Sequence, residues 1–168
     1  MAINSDKVYS SLEKLVHPRL KRAISPLIGL LVVDDYLDDP DWPCTHQIRE
    51  FALHDILIGL IRENFTNHRD IFSLDAIPDS LSYQEVVCSI TEDAKIGSPQ
   101  LLGWGWLYYR YVLADLNLTQ QKFAELCCIT ERTLRRYQYH TIDQLTVKLM
   151  QKERAALQNR RLGRLNSS

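Results

Sequence analysis

The 168-residue sequence contains few cysteines and glycines, and these scarcities exclude several classes of protein. Its four cysteines form no CxxC pair and no zinc-finger spacing, so we expect neither a disulfide framework nor a zinc ribbon. Its six glycines include no Gly-rich loop that ends in Gly-Lys-Ser or Gly-Lys-Thr, which excludes a phosphate-loop ATPase. Hydrophobic residues make up 45% of the chain, too many for a disordered protein. We therefore expect a globular protein of a reducing compartment, most simply the cytoplasm.

Long apolar runs are also missing. The longest, Pro26 to Val33, has eight residues, whereas a membrane-spanning helix needs about 20. The N-terminus lacks the basic segment and apolar run of a secretory signal. We expect no membrane partner and no export by that route.

The sequence offers little for catalysis or metal binding. No Ser, Cys or Lys lies in a recognisable nucleophile context. Cys44, His46, Glu50 and His54 are close in sequence, but structural zinc sites usually draw ligands from two separated knuckles. We therefore expect no enzyme, no cofactor and no metal site.

Charge is divided unevenly along the chain. Residues 1–98 carry 9 Lys and Arg against 16 Asp and Glu, and residues 99–168 carry 11 against 5. Such asymmetry points to an anionic partner for the basic part, most often nucleic acid. The alternative is that two oppositely charged surfaces of the chain pair with each other.

Helical periodicity covers almost the whole sequence, and no alternating run predicts a strand. We therefore expect an all-α fold that begins with an acidic helical module, residues 1–97. The predicted features of this module are a helix capped by Ser5, a helix opened by Pro26, an exposed acidic loop over 34–43, a central helix over 45–64, and a capping box at Ser82–Glu85 that opens a helix to about Glu92.

A strongly aromatic helix follows the break at Gly97. Ser98-Pro99 combines a capping residue with a first-turn proline, and residues 101–113 are rich in Trp and Tyr. Aromatic residues at helical spacing form a core more often than a base-stacking platform. We expect this helix to join the acidic helices to the basic end.

The segment Asn117–Tyr137 resembles a helix-turn-helix DNA-binding motif. Thr119 and Thr130 are placed to cap its two helices, and the motif lies in an expected domain over 98–160. Cys128 stands where such families usually have Gly, because the turn there often takes a positive φ. Cys127-Cys128 leaves a redox switch open as a minor alternative. The residues expected to form the seam between the helices are Phe123, Ala124, Cys127, Ile129, Leu134 and Tyr137.

The resemblance implies that the second helix, over Thr130–Tyr139, enters the major groove of duplex DNA. Arginine can clamp a phosphate or bind guanine O6 and N7 with both arms of its fork, and amides and lysine at the start of the first helix suit backbone phosphates. The residues expected at the DNA interface are Gln120, Gln121, Lys122, Thr130, Glu131, Arg132, Thr133, Arg135 and Arg136.

The end of the chain completes the expected domain. Thr141–Gln144 matches a capping box that would open one more helix, and no strand pair follows, so we expect no wing. This order resembles the tetrahelical effector domains of bacterial response regulators and the C-terminal regions of sigma factors. Residues 161–168 are expected to form a basic tail. A weaker resemblance is to the N-terminal leader regions of bacterial STAND signalling ATPases.

Together these features predict a bacterial transcriptional regulator that binds duplex DNA, or alternatively an adaptor or leader module of a larger signalling or defence assembly. Regulators of this type usually bind as two-fold dimers. The candidate dimer surfaces are the stripe Leu145, Leu149 and Leu157 and an apolar part of the acidic half. We expect the acidic half to form a homodimer or to bind a protein partner, because the leucine stripe is needed to close the core behind the recognition helix.

Overall fold

A computed structural model describes residues 2–17, 19, 23–38 and 45–167 of the chain. Within these ranges it contains no strand, which confirms the all-α prediction. None of the described helices is long and apolar enough to cross a membrane. The helices are α1 (Ser5–Val16), α2 (Leu31–Tyr36), α3 (His46–Ile71), α4 (Tyr83–Ile96), α5 (Pro99–Leu107), α6 (Gln120–Leu126) and α7 (Glu131–Asn166).

Side-chain caps begin most of these helices, largely as the sequence predicts. Ser82 Oγ accepts the backbone N–H of Glu85 at 3.2 Å, and Ser98 Oγ accepts that of Leu101 at 3.3 Å. The cap predicted for the first helix is wrong by one position, because Asn4 and not Ser5 caps α1. Pro26 opens a short 3₁₀ turn, Pro26–Gly29, and not an α-helix.

Several predicted boundaries need correction. α3 continues seven residues beyond Asn64, to Ile71, and α4 continues to Ile96, where Gly97 ends it in a left-handed conformation with φ 71°. Asp34 and Asp35 belong to α2 and not to a loop, because Glu153 accepts the backbone N–H groups of Leu31 and Val32 at the start of that helix. Residues 39–43 of the predicted loop lie outside the described residues.

The largest correction concerns α7, which is one continuous helix of 36 residues. The predicted capping box at Thr141–Gln144 does not open a new helix. The hydroxyl of Thr141 donates instead to the carbonyl of Tyr137, one turn back, and its side chain is buried. The separate last helix of a tetrahelical domain is therefore absent, and residues 161–166 are helical and do not form a frayed tail.

The chain divides into two compact units. Unit 1 comprises residues 1–57 and 143–168, and unit 2 comprises residues 58–142. The division predicted at Gly97–Ser98 falls within unit 2, and the separate domain over 98–160 stays a prediction. Unit 1 carries 12 Lys and Arg against 11 Asp and Glu, and unit 2 carries 8 against 10. Each unit thus contains nearly balanced charge, although the sequence halves do not.

Unit 1 packs α1, α2, the start of α3 and the end of α7 around aliphatic side chains. Val8, Leu12 and Leu53 are fully buried there. Arg160 of α7 pairs with Asp34 at 3.3 Å and with Asp35 at 3.1 Å. These ion pairs agree with the alternative explanation of the uneven charge, in which oppositely charged surfaces of the chain pair with each other. Here a basic residue of the second half neutralises two acidic residues of the first half.

Unit 2 is organised around α5. The helix continues into a π-helical turn at Tyr108–Val112, and its aromatic side chains are almost completely buried. Gly103 lets α5 approach α7 closely, since a Cβ there would collide with the Thr141 side chain. The prediction of an aromatic core helix is confirmed.

Candidate nucleic-acid interface

The first helix of the predicted motif is α6, which is short and firmly capped. Thr119 Oγ1 accepts the backbone N–H of Lys122 at 3.1 Å, as the sequence predicts. Phe123 and Ala124 face inward and are buried. The ring of Phe123 lies 5.2 Å from that of Trp106, measured between centroids, so α6 is fixed on the aromatic core of unit 2.

The turn after α6 has the hydrogen bonds of a Schellman motif. The N–H of Ile129 bonds to the carbonyl of Ala124 at 3.0 Å, and the N–H of Cys128 bonds to that of Glu125 at 3.1 Å. Cys128 has φ 55°, the left-handed conformation that the motif requires and that Gly adopts most cheaply. The predicted positive φ at this position is confirmed, although the residue is not Gly.

The start of α7 is the second helix of the motif. Thr130 Oγ1 accepts the backbone N–H of Thr133 at 3.1 Å, which confirms the predicted cap. Leu134 is fully buried one turn later. Gln138 is also buried, and its side-chain oxygen accepts the indole N–H of Trp106 at 2.7 Å. Sequence reasoning missed Gln138, because nothing in the local pattern distinguishes it from an exposed glutamine.

The seam is buried as predicted at four of its six positions. Phe123, Ala124, Cys127 and Leu134 are buried. Ile129 and Tyr137 are only half-buried. Burial raises the pKa of the Cys127 thiol to about 12, which keeps it protonated and unreactive as a thiolate at neutral pH. Cys128, its neighbour, is exposed.

All nine predicted interface residues lie in unit 2. Gln120, Gln121 and Lys122 form the first turn of α6, Thr130 caps α7, and the other five lie in the first two turns of α7. Gln120 and Thr133 are half-buried. The exposed ones are Gln121, Lys122, Thr130, Glu131, Arg132, Arg135 and Arg136.

Some of these side chains already have partners within the chain. The amide of Gln120 donates to the backbone carbonyl of Glu131 at 3.3 Å, and thereby links the two helices of the motif. Gln121 donates to Glu125 at 3.2 Å, and Thr130 donates to the hydroxyl of Thr133 at 2.9 Å. Gln120 and Thr130 therefore contribute to the geometry of the motif as well as to its surface.

The three arginines form the basic part of the surface. Arg132, Arg135 and Arg136 are separated by three and four residues, so they share one face of α7. The guanidinium of Arg136 lies 6.0 Å from the ring centroid of Tyr137, which restrains its side chain. Lys122 on α6 adds a fourth exposed cation. Glu131 is the acidic residue among them.

Glu50, one of the residues considered for a metal site, serves other contacts. Glu50 accepts the ammonium of Lys14 at 2.7 Å and the backbone N–H of Ser25 at 3.2 Å. Cys44 lies outside the described residues. Among the residues that the structure describes, no three His, Cys, Asp or Glu side chains are grouped as metal ligands would be.

Comparisons of the chain with protein-family models, with curated proteins and with solved structures find no match. The site must therefore be interpreted from its own geometry.

Proposed function

We propose that this chain is a sequence-specific DNA-binding protein, a bacterial transcriptional regulator, that reads duplex DNA with the first two turns of α7. The observation that carries the proposal is the joint exposure of Arg132, Arg135 and Arg136 on one face, directly after a tight turn between two capped helices. If the motif served instead as a scaffold for protein interaction, these arginines would be partly buried against the acidic half. Their exposure therefore supports DNA binding.

The side chains suit the two kinds of contact that such a surface makes. The planar fork of an arginine can bind guanine O6 and N7 or clamp a phosphate. Lys122, in the first turn of α6, and Thr130, the cap of α7, suit backbone phosphates. Glu131 can accept a hydrogen bond from the amino group of cytosine, whereas near phosphates its charge is repelled. This residue would therefore contribute to sequence choice more than to affinity.

Salt dependence tests the proposal most directly. Each phosphate contact contributes about −0.9 to the slope of log affinity against log salt. The four exposed cations of the surface give a slope of about −3.6, and five to seven contacts, if the chain end takes part, give about −4.5 to −6.3. Fluorescence anisotropy of the full chain on random and genomic duplexes at about 50 to 100 mM salt measures this slope. No binding to any duplex in that range would refute the proposal.

Single arginine variants locate the interface. Arg135→Ala and Arg136→Ala should each weaken binding by about 1 to 3 kcal/mol, and the variant at a base-reading position should also relax specificity. Arg62→Ala is the matched control, because Arg62 is an exposed arginine of the same unit on α3, outside the motif. Normal binding by both α7 variants would show that the recognition helix is assigned wrongly.

A second candidate function is a protein-interaction module that uses the motif as a scaffold. It is favoured by the charge of unit 2, which carries 8 basic and 10 acidic residues and so lacks the general positive charge of many DNA-binding domains. Under this alternative the arginine variants bind DNA no worse than Arg62→Ala. The same anisotropy series therefore separates the two functions.

A further inference from the structure

The exposed side of α7 within unit 1 carries an apolar stripe, of which the sequence pattern indicated only Leu157. Val147, Met150 and Leu157 expose 50%, 41% and 39% of their surface. Two arginines on the same side are exposed as well: Arg154 lies between Met150 and Leu157, and Arg161 lies one turn after Leu157. The spacings of three and four residues place all five on one face of the helix. We call these residues and Asp143, one turn earlier on the same face, the α7 stripe.

The opposite face of this part of α7 forms the core of unit 1. Leu145 and Leu149 are fully buried, and Glu153 binds the start of α2. These two leucines therefore close a core, as expected when they were set aside as a dimer surface. Leu157, which was expected on the same side, is exposed instead and belongs to the α7 stripe.

The α7 stripe is complementary to itself when two copies of the helix run antiparallel. In the register centred on residue 152, Asp143 of one copy faces Arg161 of the other, and the two-fold axis repeats this ion pair. Val147 faces Leu157, also twice, and Met150 faces the aliphatic stem of Arg154. Apolar residues thus meet apolar groups, and each exposed carboxylate meets a guanidinium. An interface of this kind is isologous, as a closed dimer requires.

From this complementarity we infer that a second copy of the chain docks on the α7 stripe to form an antiparallel two-fold dimer. Asp143 remains able to bind Arg161, since one of its oxygens accepts the hydroxyl of Ser5 at 2.6 Å and a carboxylate accepts several donors. From Asp143 to Arg161 the stripe is about 27 Å long, at 1.5 Å per residue. This inference does not depend on DNA binding.

Other occupants fit the stripe less well. If the stripe bound a membrane, Arg154 and Arg161 would lie on the same face as the apolar residues and would be inserted with them. Amphipathic membrane helices keep their cations on the polar side. A parallel second copy would place Asp143 against Asp143 and Arg161 against Arg161. Only the antiparallel arrangement brings unlike charges together at both ends.

Charge reversal tests the register. Sedimentation of the full chain across about 10 to 200 µM, where a modest interface associates, should show a dimer. Asp143→Arg or Arg161→Asp alone places two like-charged pairs in the interface, and each variant should weaken association at least about tenfold. The combined variant restores both unlike pairs and should dimerise again. Mixing the two single variants should give a heterodimer for the same reason.

Lys152→Asp is the matched control, because Lys152 is an exposed cation on the other side of α7. It should leave association unchanged. A monomeric wild-type chain over the whole concentration range would overturn the inference. Dimers that persist in both single variants would also overturn it and place the interface elsewhere, for example on the acidic half. Failure of both the combined variant and the mixture to associate would show that the proposed pairs do not form.

Discussion

In unit 1 the largest fully buried side chains are leucines, whereas in unit 2 they are aromatic. Leu12, Leu27 and Leu53 fill the first core. The second contains Trp104 and Trp106 together with two tyrosines and two phenylalanines. Aromatic rings bury more surface per residue and must be oriented to satisfy their polar atoms, as the indole of Trp106 is by Gln138. The surface with the three arginines is thus built on the more rigidly specified core.

Each unit also contains a buried ion pair, and the two pairs differ in their access to water. Lys14 and Glu50 in unit 1 have side chains that are 4% and 19% exposed. Arg69 and Asp93 in unit 2 are each 3% exposed. Arg69 also donates to the backbone carbonyl of Asp75 at 2.9 Å, so it connects α3 to the segment before α4. A carboxylate at the edge of a core can regain water when its partner is lost, but one inside a core cannot.

The largest expected effect follows from this difference. Arg69→Ala leaves Asp93 buried without its partner and should lower the free energy of unfolding by about 3 to 5 kcal/mol. Lys14→Ala should cost only about 1.5 to 3 kcal/mol, because Glu50 can be hydrated. Urea unfolding measures both, with the exposed Lys95→Ala as control. Equal losses would show that the two pairs are energetically alike.

The pH dependence of stability should have opposite signs in the two units. Burial raises the pKa of Asp93 from 3.8 to about 6, against the opposing charge of Arg69. Burial would also raise the pKa of Glu50, but the hydrogen bonds from Lys14 and Ser25 outweigh it and lower this pKa below 4.5. The Asp93 contribution is therefore complete at acid pH and is lost as the pH rises through 6. The Glu50 contribution is present above pH 4.5 and is lost as the pH falls.

Amide variants separate these contributions. Between about pH 4 and pH 7 the wild-type chain should lose about 2 to 3 kcal/mol of unfolding free energy through Asp93. Asp93→Asn should not show this loss, and urea unfolding of both chains at the two pH values measures the difference. Glu50→Gln should instead flatten the loss of stability in acid. If Asp93→Asn follows the wild-type pH profile, Asp93 does not titrate in this range.

The smallest expected effects concern glycine. The described left-handed residues, Ser73, Gly97, Asn117 and Cys128, all belong to unit 2. Cys128→Gly should stabilise the chain by about 1 kcal/mol, because Gly adopts this φ without strain. In unit 1, Gly163→Ala should stabilise it by about 0.5 kcal/mol, because Gly163 is helical and its Cβ would meet open space. Thermal unfolding measures both, and destabilisation by Cys128→Gly would show that the thiol has a packing role that outweighs the strain.

Local patterns predicted the caps and the turn of the motif correctly, because these features depend on a few neighbouring residues. Ser82, Ser98, Thr119 and Thr130 cap their helices as expected, and Cys128 has the expected positive φ. The prediction failed at Thr141, where the same residue type that caps a helix also fits inside one.

Features that depend on tertiary contacts could not be read from the sequence. The hydroxyl of Thr141 bonds within α7 and packs where Gly103 leaves room, and neither partner is near in sequence. Likewise Glu153 caps α2 from 121 and 122 residues away. The nine candidate interface residues were named from the motif, but the hydrogen bond from Gln120 to the backbone of Glu131 is visible only in the fold.

The discontinuity of unit 1 in the sequence has a consequence for synthesis on the ribosome. Residues 1–57 lack the segment that completes their core until residues 143–168 have been made. The intervening residues of unit 2 are contiguous and can fold while translation continues. At about 5 to 20 residues per second, synthesis of residues 58–168 takes roughly 6 to 22 s, and the leucines of the first segment stay uncovered for that time. During translation, unit 2 is thus complete first, and the segment 1–57 is the part that most needs protection from aggregation.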